Sequence, residues 1–483
     1  MPVIGNALDM PTVRPWERYR EWCEAYKSSL VFLQLPMQPM MVVGSAKVAM
    51  DLMEKKSQLY SDRFRCVMFE LVGCDFHFSL MPYTPFWRAH RRTFHQHFQP
   101  SYVPKYLPLQ LQYARRMLGW VRQSPEYTRQ HIRRMVTSFI FDITYGKKIT
   151  GLDDEYVTMA QTALEGISEA CIPGIYWVEY LPFLRYIPSW LPGTVSRRLG
   201  DKFSPFVLGM RDKPWSEVKA MMDKGTAPPS IAASLIEDNR SKYGKTKEEA
   251  EYDLIAKNVA GVTYAAGADT TTSSSQFLML AMALFPDVQL HARAELDRVV
   301  GPSRLPEHDD LQHLPYIRAI VLETLRWMPV APFAIPHCAM ADDTYEGYHI
   351  PKGTTLIPNV WAMLRDPEDY SEPDLFNPGR FIGKDGELDP NVRDPTTIVF
   401  GFGRRICPGR HVALAMLSIY AASILHVYDI TPGLDASGKP IELSTDTMGA
   451  LIIAPRDVPV GLKPRSQAAE KLISEAAAEY EAI

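Results

Sequence analysis

Phe400-Gly401-Phe402-Gly403-Arg404-Arg405-Ile406-Cys407-Pro408-Gly409 places one cysteine after a glycine-rich turn and directly before an apolar run from Val412 to Leu425. The run is apolar nearly all round, which predicts a helix buried on every side. Pro408 suits its first turn, because proline lacks the N–H that a first turn leaves unpaired. A cysteine so placed faces helix N–H donors, and the partial positive charge of a helix start favours the anionic sulfur that binds a ferric ion. Without context, a lone cysteine beside a buried helix is a small core residue. The rest of the chain decides between the two readings.

The 483 residues, 46% of them hydrophobic, are enough to bury a large core, and no linker, low-complexity tract or repeat divides them. A single domain is expected. The formal net charge is −4 with no long basic stripe, which excludes nucleic acid as a partner. Cysteines stand at 23, 66, 74, 171, 338 and 407, without a CxxC pair, a spacing of free thiols in a reducing compartment. No run reaches the ~18 apolar residues of a membrane span.

Short β-like runs, Val31 to Leu35 and Met40 to Val43, fall in the first ~80 residues, and helical patterns dominate from about Trp87. Thr246-Lys-Glu-Glu249 has the form of a capping box and predicts a long helix running to about Leu284, before Pro286. Ile317, Ile320, Val321, Leu325 and Met328 line one face of a second helix, which Pro329 ends. From Pro332 to Pro395 the pattern breaks into short strands and turns, with Tyr348-His-Ile-Pro-Lys-Gly353 reading as strand then turn. The fold class is mainly α with small β-sheets.

Three further patterns carry chemistry. Ala266-Gly267-Ala268-Asp269-Thr270-Thr271 puts poor helix formers inside the long helix; this is either a packing seam continued by Ser273 to Ser275 or a functional interruption. Glu323-Thr-Leu-Arg326 is by itself an ordinary i,i+3 ion pair. Trp87-Arg-Ala-His-Arg91 sets an indole donor and a guanidinium on one helical face.

The ten-residue string matches the haem-binding loop of cytochromes P-450 at Phe400, Gly403, Arg405, Cys407 and Gly409. The chain resembles microsomal members of that family from Pro2 to about Pro464, so residues 1–464 are assigned to a single cytochrome P-450 domain and 465–483 to an Ala/Glu-rich C-terminal tail. Tyr60-Ser-Asp-Arg63, Trp87-Arg-Ala-His-Arg-Arg92 and Asn359-Val-Trp-Ala362 are similar to fungal secondary-metabolite members. The resemblance implies haem b with Cys407 as axial thiolate, an electron-rich ligand that favours O–O cleavage. It places the haem between the long helix and the helix after the cysteine loop. It pairs Arg405, Trp87, Arg91 and His337 with the propionates, and lets Phe400, Gly409 and the other loop glycines approach the porphyrin. Asp269 and Thr270 become a proton relay into a largely dry pocket, with Gly267 leaving room for oxygen and a water. Glu323 and Arg326 become a structural clamp with Arg380 in Phe376-Asn-Pro-Gly-Arg-Phe381, where Gly379 replaces a usual acid and suggests a looser loop.

The implied activity is a monooxygenase that oxidises an apolar small molecule with O2 and electrons from NADPH, delivered by NADPH–cytochrome P-450 reductase. Candidate pocket walls are Phe64 to Leu80, Ala265 to Thr270, Val330 to Ile335 and Thr447 to Ala450. Arg88, Arg91, Arg92, Arg404 and Arg410 would form a basic patch for an acidic reductase. Tyr176, Trp177, Tyr180, Phe183, Tyr186 and Trp190, among prolines at 173, 182, 188 and 192, are read as an interfacial loop dipping into a membrane surface, against a packed core loop. A monomer on the cytosolic face of the endoplasmic reticulum membrane is expected, with the relatives' anchor helix and proline-rich hinge missing before Met1. A haem-thiolate isomerase or dehydratase needing no external electrons, and a haem sensor or carrier, are the alternatives. An intact Asp269-Thr270 pair has no purpose in either.

Overall fold

The computed structural model describes residues 5–36, 38–172 and 175–481. Met1 to Ile4 of the opening stretch and Pro173 of the aromatic segment lie outside them. Helices make the body. Those that frame the site are α1 (Val67–Leu71), α2 (Pro85–Phe98), α3 (Leu107–Gln123), α4 (Thr128–Tyr145), α5 (Glu155–Ala170), α6 (Val195–Asp223), α7 (Glu249–Leu284), α8 (Pro315–Trp327), α9 (Arg410–Val427) and α10 (Gln467–Glu481).

A four-stranded sheet lies beside them in the order β1 (Leu30–Leu35), β2 (Gln38–Val43), β4 (Thr355–Pro358), β3 (His337–Cys338). Strands β1 and β2 are antiparallel with Phe32 opposite Met41, β2 and β4 are parallel, and β3 runs antiparallel to β4 with His337 opposite Leu356. Pairing β3 to β4 carries His337 into the interior. Tyr348–Ile350 is a strand followed by a turn at Gly353, whose φ of +83° suits glycine.

Helix α7 is the axis. From Thr271 to Ala283 every residue is buried, and the helix packs on α2, α4, α6, α8 and α9. It ends at Leu284 with Pro286 opening the next helix, as the periodicity predicts. Its start differs: Thr246 Oγ1 donates to the Tyr243 carbonyl and the Glu249 carboxylate accepts from Lys245 N–H, so the capping box does not form and α7 begins at Glu249 without a side-chain cap. A tight turn before the helix has taken both partners.

Helix α9 is the apolar helix expected after Cys407, but it starts at Arg410 with Gly409 as N-cap, so Pro408 precedes the first turn instead of occupying it. Although α9 is long and apolar enough to cross a membrane, two thirds of it is buried inside the fold. Its composition follows from its central place in the core. Residues 467–481, within the Ala/Glu-rich stretch, form α10, which packs on α3. Ala469, Leu472, Ile473 and Ala476 are buried, and Gly119 of α3 makes room for Ala477. The stretch is therefore a docked helix.

Candidate active site

Cys407 sits between the turn Gly403–Arg405 and α9. Its N–H donates to the Phe400 carbonyl at 2.8 Å, which folds the loop back on itself. Gly401 and Gly403 have φ of +76° and +56°, a region closed to most side chains. Gly409 is different: a Cβ there would meet no protein atom, so nothing in the protein's own packing demands glycine. Burial pushes the Cys407 thiol up, against the lowering effect of Gly409 and Arg410 N–H groups and of the Arg91 and Arg410 guanidiniums. The helix-start effect is present, yet in the protein alone desolvation outweighs it. A metal cation bound there would reverse that balance, because a coordinating thiol is deprotonated.

Cations gather around this loop. Arg405 Nε donates to Ser61 O at 2.7 Å and Nη2 to Met81 O at 2.8 Å, and its guanidinium lies over the Trp87 ring, 4.1 Å from the centroid. Arg91 Nη2 donates to Ile406 O at 2.6 Å, one residue from the cysteine. His337 shares its Nδ1 proton with Tyr60 O at 2.6 Å, so in the protein alone its Nε2 is an acceptor. Arg63 completes the group: Nε donates to Ser79 O and Nη1 to Ile335 and Pro336 carbonyls. In the sequence Arg63 stands out only as part of Tyr60-Ser-Asp-Arg63. No periodicity marks it, because its role depends on a loop crossing to β3.

Burial, and then mutual repulsion, lowers these groups. Arg405 is pushed down to about 9 by burial and by Arg91, against the pull of Asp62. Burial takes Arg91 down to about 10, and Arg63 and His337 fall well below their ordinary values, each with Arg405 adding to the effect. Among the described residues, the carboxylate acting on both Arg63 and Arg405 is Asp62. Buried cations in excess of their counter-charges are costly unless an anion joins them. A porphyrin with two propionates supplies that charge, so the residues present fit haem.

In α7 the middle turn departs from its surroundings. Ala266 is exposed between buried Ala265 and Ala268. Thr270, one turn on and on the same face, donates its hydroxyl to Ala266 O at 2.8 Å. Burial raises the Asp269 carboxyl, partly offset by Arg133 of α4. At Gly267 a Cβ would lie 2.7 Å from Ile140 Cγ1 of α4, so its missing side chain admits Ile140. Among the described residues no hydrogen bond joins Asp269 or Thr270 to the cysteine loop. Helix α7 packs on α9 and α2, the helices that flank that loop in the fold.

Behind the site, Arg326 donates to Glu323 through Nε at 2.7 Å and Nη2 at 2.8 Å, and Arg380 Nε reaches Glu323 at 3.2 Å. Gly379 does not loosen this clamp, since Arg380 also binds the carbonyls of Ser371, Glu372 and Leu375 and its side chain is 4% exposed.

Two outer surfaces complete the picture. Arg88, Arg92 and Arg404 are exposed, whereas Arg91 and Arg410 turn inward to Ile406 and Cys407 carbonyls. Between α5 and α6, Trp177, Phe183, Tyr186 and Trp190 are 70%, 61%, 75% and 79% exposed, while Tyr176 is buried with its hydroxyl on Glu169 O.

Mainly helical architecture, a half-buried cysteine loop and a lining of buried cations suit an anionic cofactor. A sequence model of the family "Cytochrome P450" matches residues 1–457. The chain is 37% identical over 483 residues to cytochrome P450 monooxygenase COX2 of Coprinopsis cinerea, covering 100% of this chain and 91% of that protein. To cytochrome P450 monooxygenase ple1 of Rhodocybe pseudopiperita it is 38% identical, covering 98% and 90%. To tryptamine 4-monooxygenase of Psilocybe cyanescens it is 34% identical, covering 98% and 93%. The chain belongs to the cytochrome P450 family and is an oxygen-incorporating oxidoreductase. The family binds haem b through a cysteine thiolate and uses O2 with a redox partner, typically a reductase.

Proposed function

We propose that Cys407 is the iron ligand and that the enzyme oxidises an apolar small molecule in fungal secondary metabolism, with electrons from NADPH through a reductase at the endoplasmic reticulum membrane. The observation that carries the assignment is the Cys407 loop, gripped by Arg91 at the Ile406 carbonyl, beside buried Arg63 and Arg405, on both of which Asp62 is the one carboxylate acting among the described residues. Haem, when bound, supplies the redox chemistry that splits dioxygen.

The chain's own residues do the rest. Arg63, Arg91, Arg405 and Trp87 would hold the propionates. His337 would add a donor, since a carboxylate beside its imidazole would favour the protonated form. Ala266 offers a small wall for oxygen and substrate. The Thr270 hydroxyl turns from the Ala266 carbonyl to pass a proton at the reacting face, and the raised Asp269 carboxyl is protonated more readily than an ordinary one and can resupply it. Such a relay suits a monooxygenase better than an isomerase, which takes up no external protons. Exposed Arg88, Arg92 and Arg404 suit an acidic reductase, and the exposed aromatic segment suits a membrane surface at headgroup depth.

The reduced carbonyl complex tests the assignment. It is expected to absorb at the long-wavelength Soret position typical of thiolate ligation, and Cys407→His to abolish that band. The other five cysteines, all free thiols, are expected to be replaceable without losing it. A normal band in Cys407→His refutes the assignment.

A further inference from the structure

We propose that Glu54 is a positioning residue for the cysteine loop, holding it at Gly403. The inference rests on Cys407 as the iron ligand and adds a restraint that lies outside the loop's own motif.

Residues Met50–Lys55 form a π-helical segment, a rare form that is found most often at functional sites. Leu52 and Met53 anchor it in the core, and Asp51 ties its outer side to Lys55 and to the Tyr345 hydroxyl. From this fixed base the Glu54 carboxylate accepts the Gly403 N–H at 2.6 Å. The approach is close enough that a Cβ at Gly403 would lie 2.0 Å from the Met53 carbonyl oxygen. Backbone therefore rests on backbone, and glycine at 403 is required by this docking as well as by its φ.

Gly403 begins the turn that sets the cysteine. Its carbonyl accepts from Ile406 N–H at 3.2 Å, Ile406 O accepts from Arg91, and Cys407 follows. With Glu54 in place the turn has one seat. Without it Gly403 N–H has water as its alternative, and the turn that precedes Cys407 gains freedom. The carboxylate is exposed to solvent, so the effect is moderate: a hydrogen bond to a charged group contributes at most about tenfold here, or ~1.4 kcal/mol.

The test uses the haem-loaded chain. Conversion of its reduced carbonyl complex from the thiolate band to the short-wavelength form, under mild denaturant, is expected to run about threefold to tenfold faster in Glu54→Ala. Glu54→Gln, which keeps an acceptor oxygen, is expected to stay near wild type. Asp51→Asn, which loosens the same segment without touching the loop, is expected to do likewise. An unchanged rate in Glu54→Ala overturns the proposal, as does equal acceleration in all three variants, which would mark a segment that merely supports folding. Amide hydrogen exchange of residues 400–409 reads the loop independently of iron, and no acceleration there in Glu54→Ala also overturns it. A wild-type protein with no thiolate band, but with faster exchange in Glu54→Ala, would instead unseat the Cys407 assignment.

Discussion

Replacing Glu323 by alanine removes the anion at the centre of the buried clamp. Its carboxylate accepts from Arg326 Nε at 2.7 Å, Arg326 Nη2 at 2.8 Å, Asn377 N at 2.7 Å and Arg380 Nε at 3.2 Å. The side chains of Glu323 and Arg326 are 0% exposed and that of Arg380 is 4% exposed, so the substitution strands two guanidiniums away from water. Breaking a buried pair by removing one partner costs ~3–5 kcal/mol, a large part of the ~5–15 kcal/mol that holds a folded protein together. Arg326 keeps the carbonyls of Leu364, Pro373 and Leu375, and Arg380 those of Ser371, Glu372 and Leu375, which brings the expected loss toward ~3 kcal/mol. Denaturant unfolding of the haem-loaded protein, followed by circular dichroism and the haem band together, measures it. A double-mutant cycle with Arg326→Ala is expected to show a coupling of at least ~1 kcal/mol. A loss below ~1 kcal/mol in Glu323→Ala, or additive single substitutions, would refute the view that charge pairing in this clamp stabilises the fold.

Thr270→Ala is expected to keep haem and the thiolate carbonyl band, because the hydroxyl's partner is Ala266 O, while the product formed per NADPH consumed falls and hydrogen peroxide rises. Each tenfold loss of that ratio corresponds to ~1.4 kcal/mol between the two routes, and unchanged coupling with a tight-binding substrate contradicts the relay. Asp269→Asn is expected to stabilise the protein near neutral pH. Burial raises the folded carboxyl above its unfolded value, so its contribution is fully present below the ordinary carboxyl range and is lost as pH rises through the raised value. The stability difference from wild type should therefore grow from acid to neutral pH, and a flat difference in denaturant midpoints counts against it. Replacing Trp177, Phe183 and Trp190 together by serine is expected to reduce flotation with liposomes at unchanged haem content, whereas equal flotation would place membrane contact elsewhere.

The elements legible beforehand are those whose chemistry is written in consecutive residues. The loop from Phe400 to Gly409, the apolar helix behind Cys407 and the Glu323–Arg326 pair each carry their partners within a turn or two, so residue type and spacing determine them. Leu284 could be read as the end of α7 because Pro286, which has no N–H to continue a helix, instead opens the next one. Tertiary structure alone decided the rest, because it depends on which distant surfaces face one another. Arg63 became a site residue when its loop crossed to β3, Gly267 a seat for Ile140 when α4 packed on α7, and Glu54 the partner of Gly403 across hundreds of intervening residues. The capping box at Thr246 was a sound local rule overruled by an equally local turn. Whether the aromatic segment was core or surface could not follow from its composition, since the same rings bury or project according to what packs beside them. Covalent neighbourhood thus settles which chemistry the chain carries, and packing settles which side chains reach it, because a side chain's direction is fixed only when every element around it is in place.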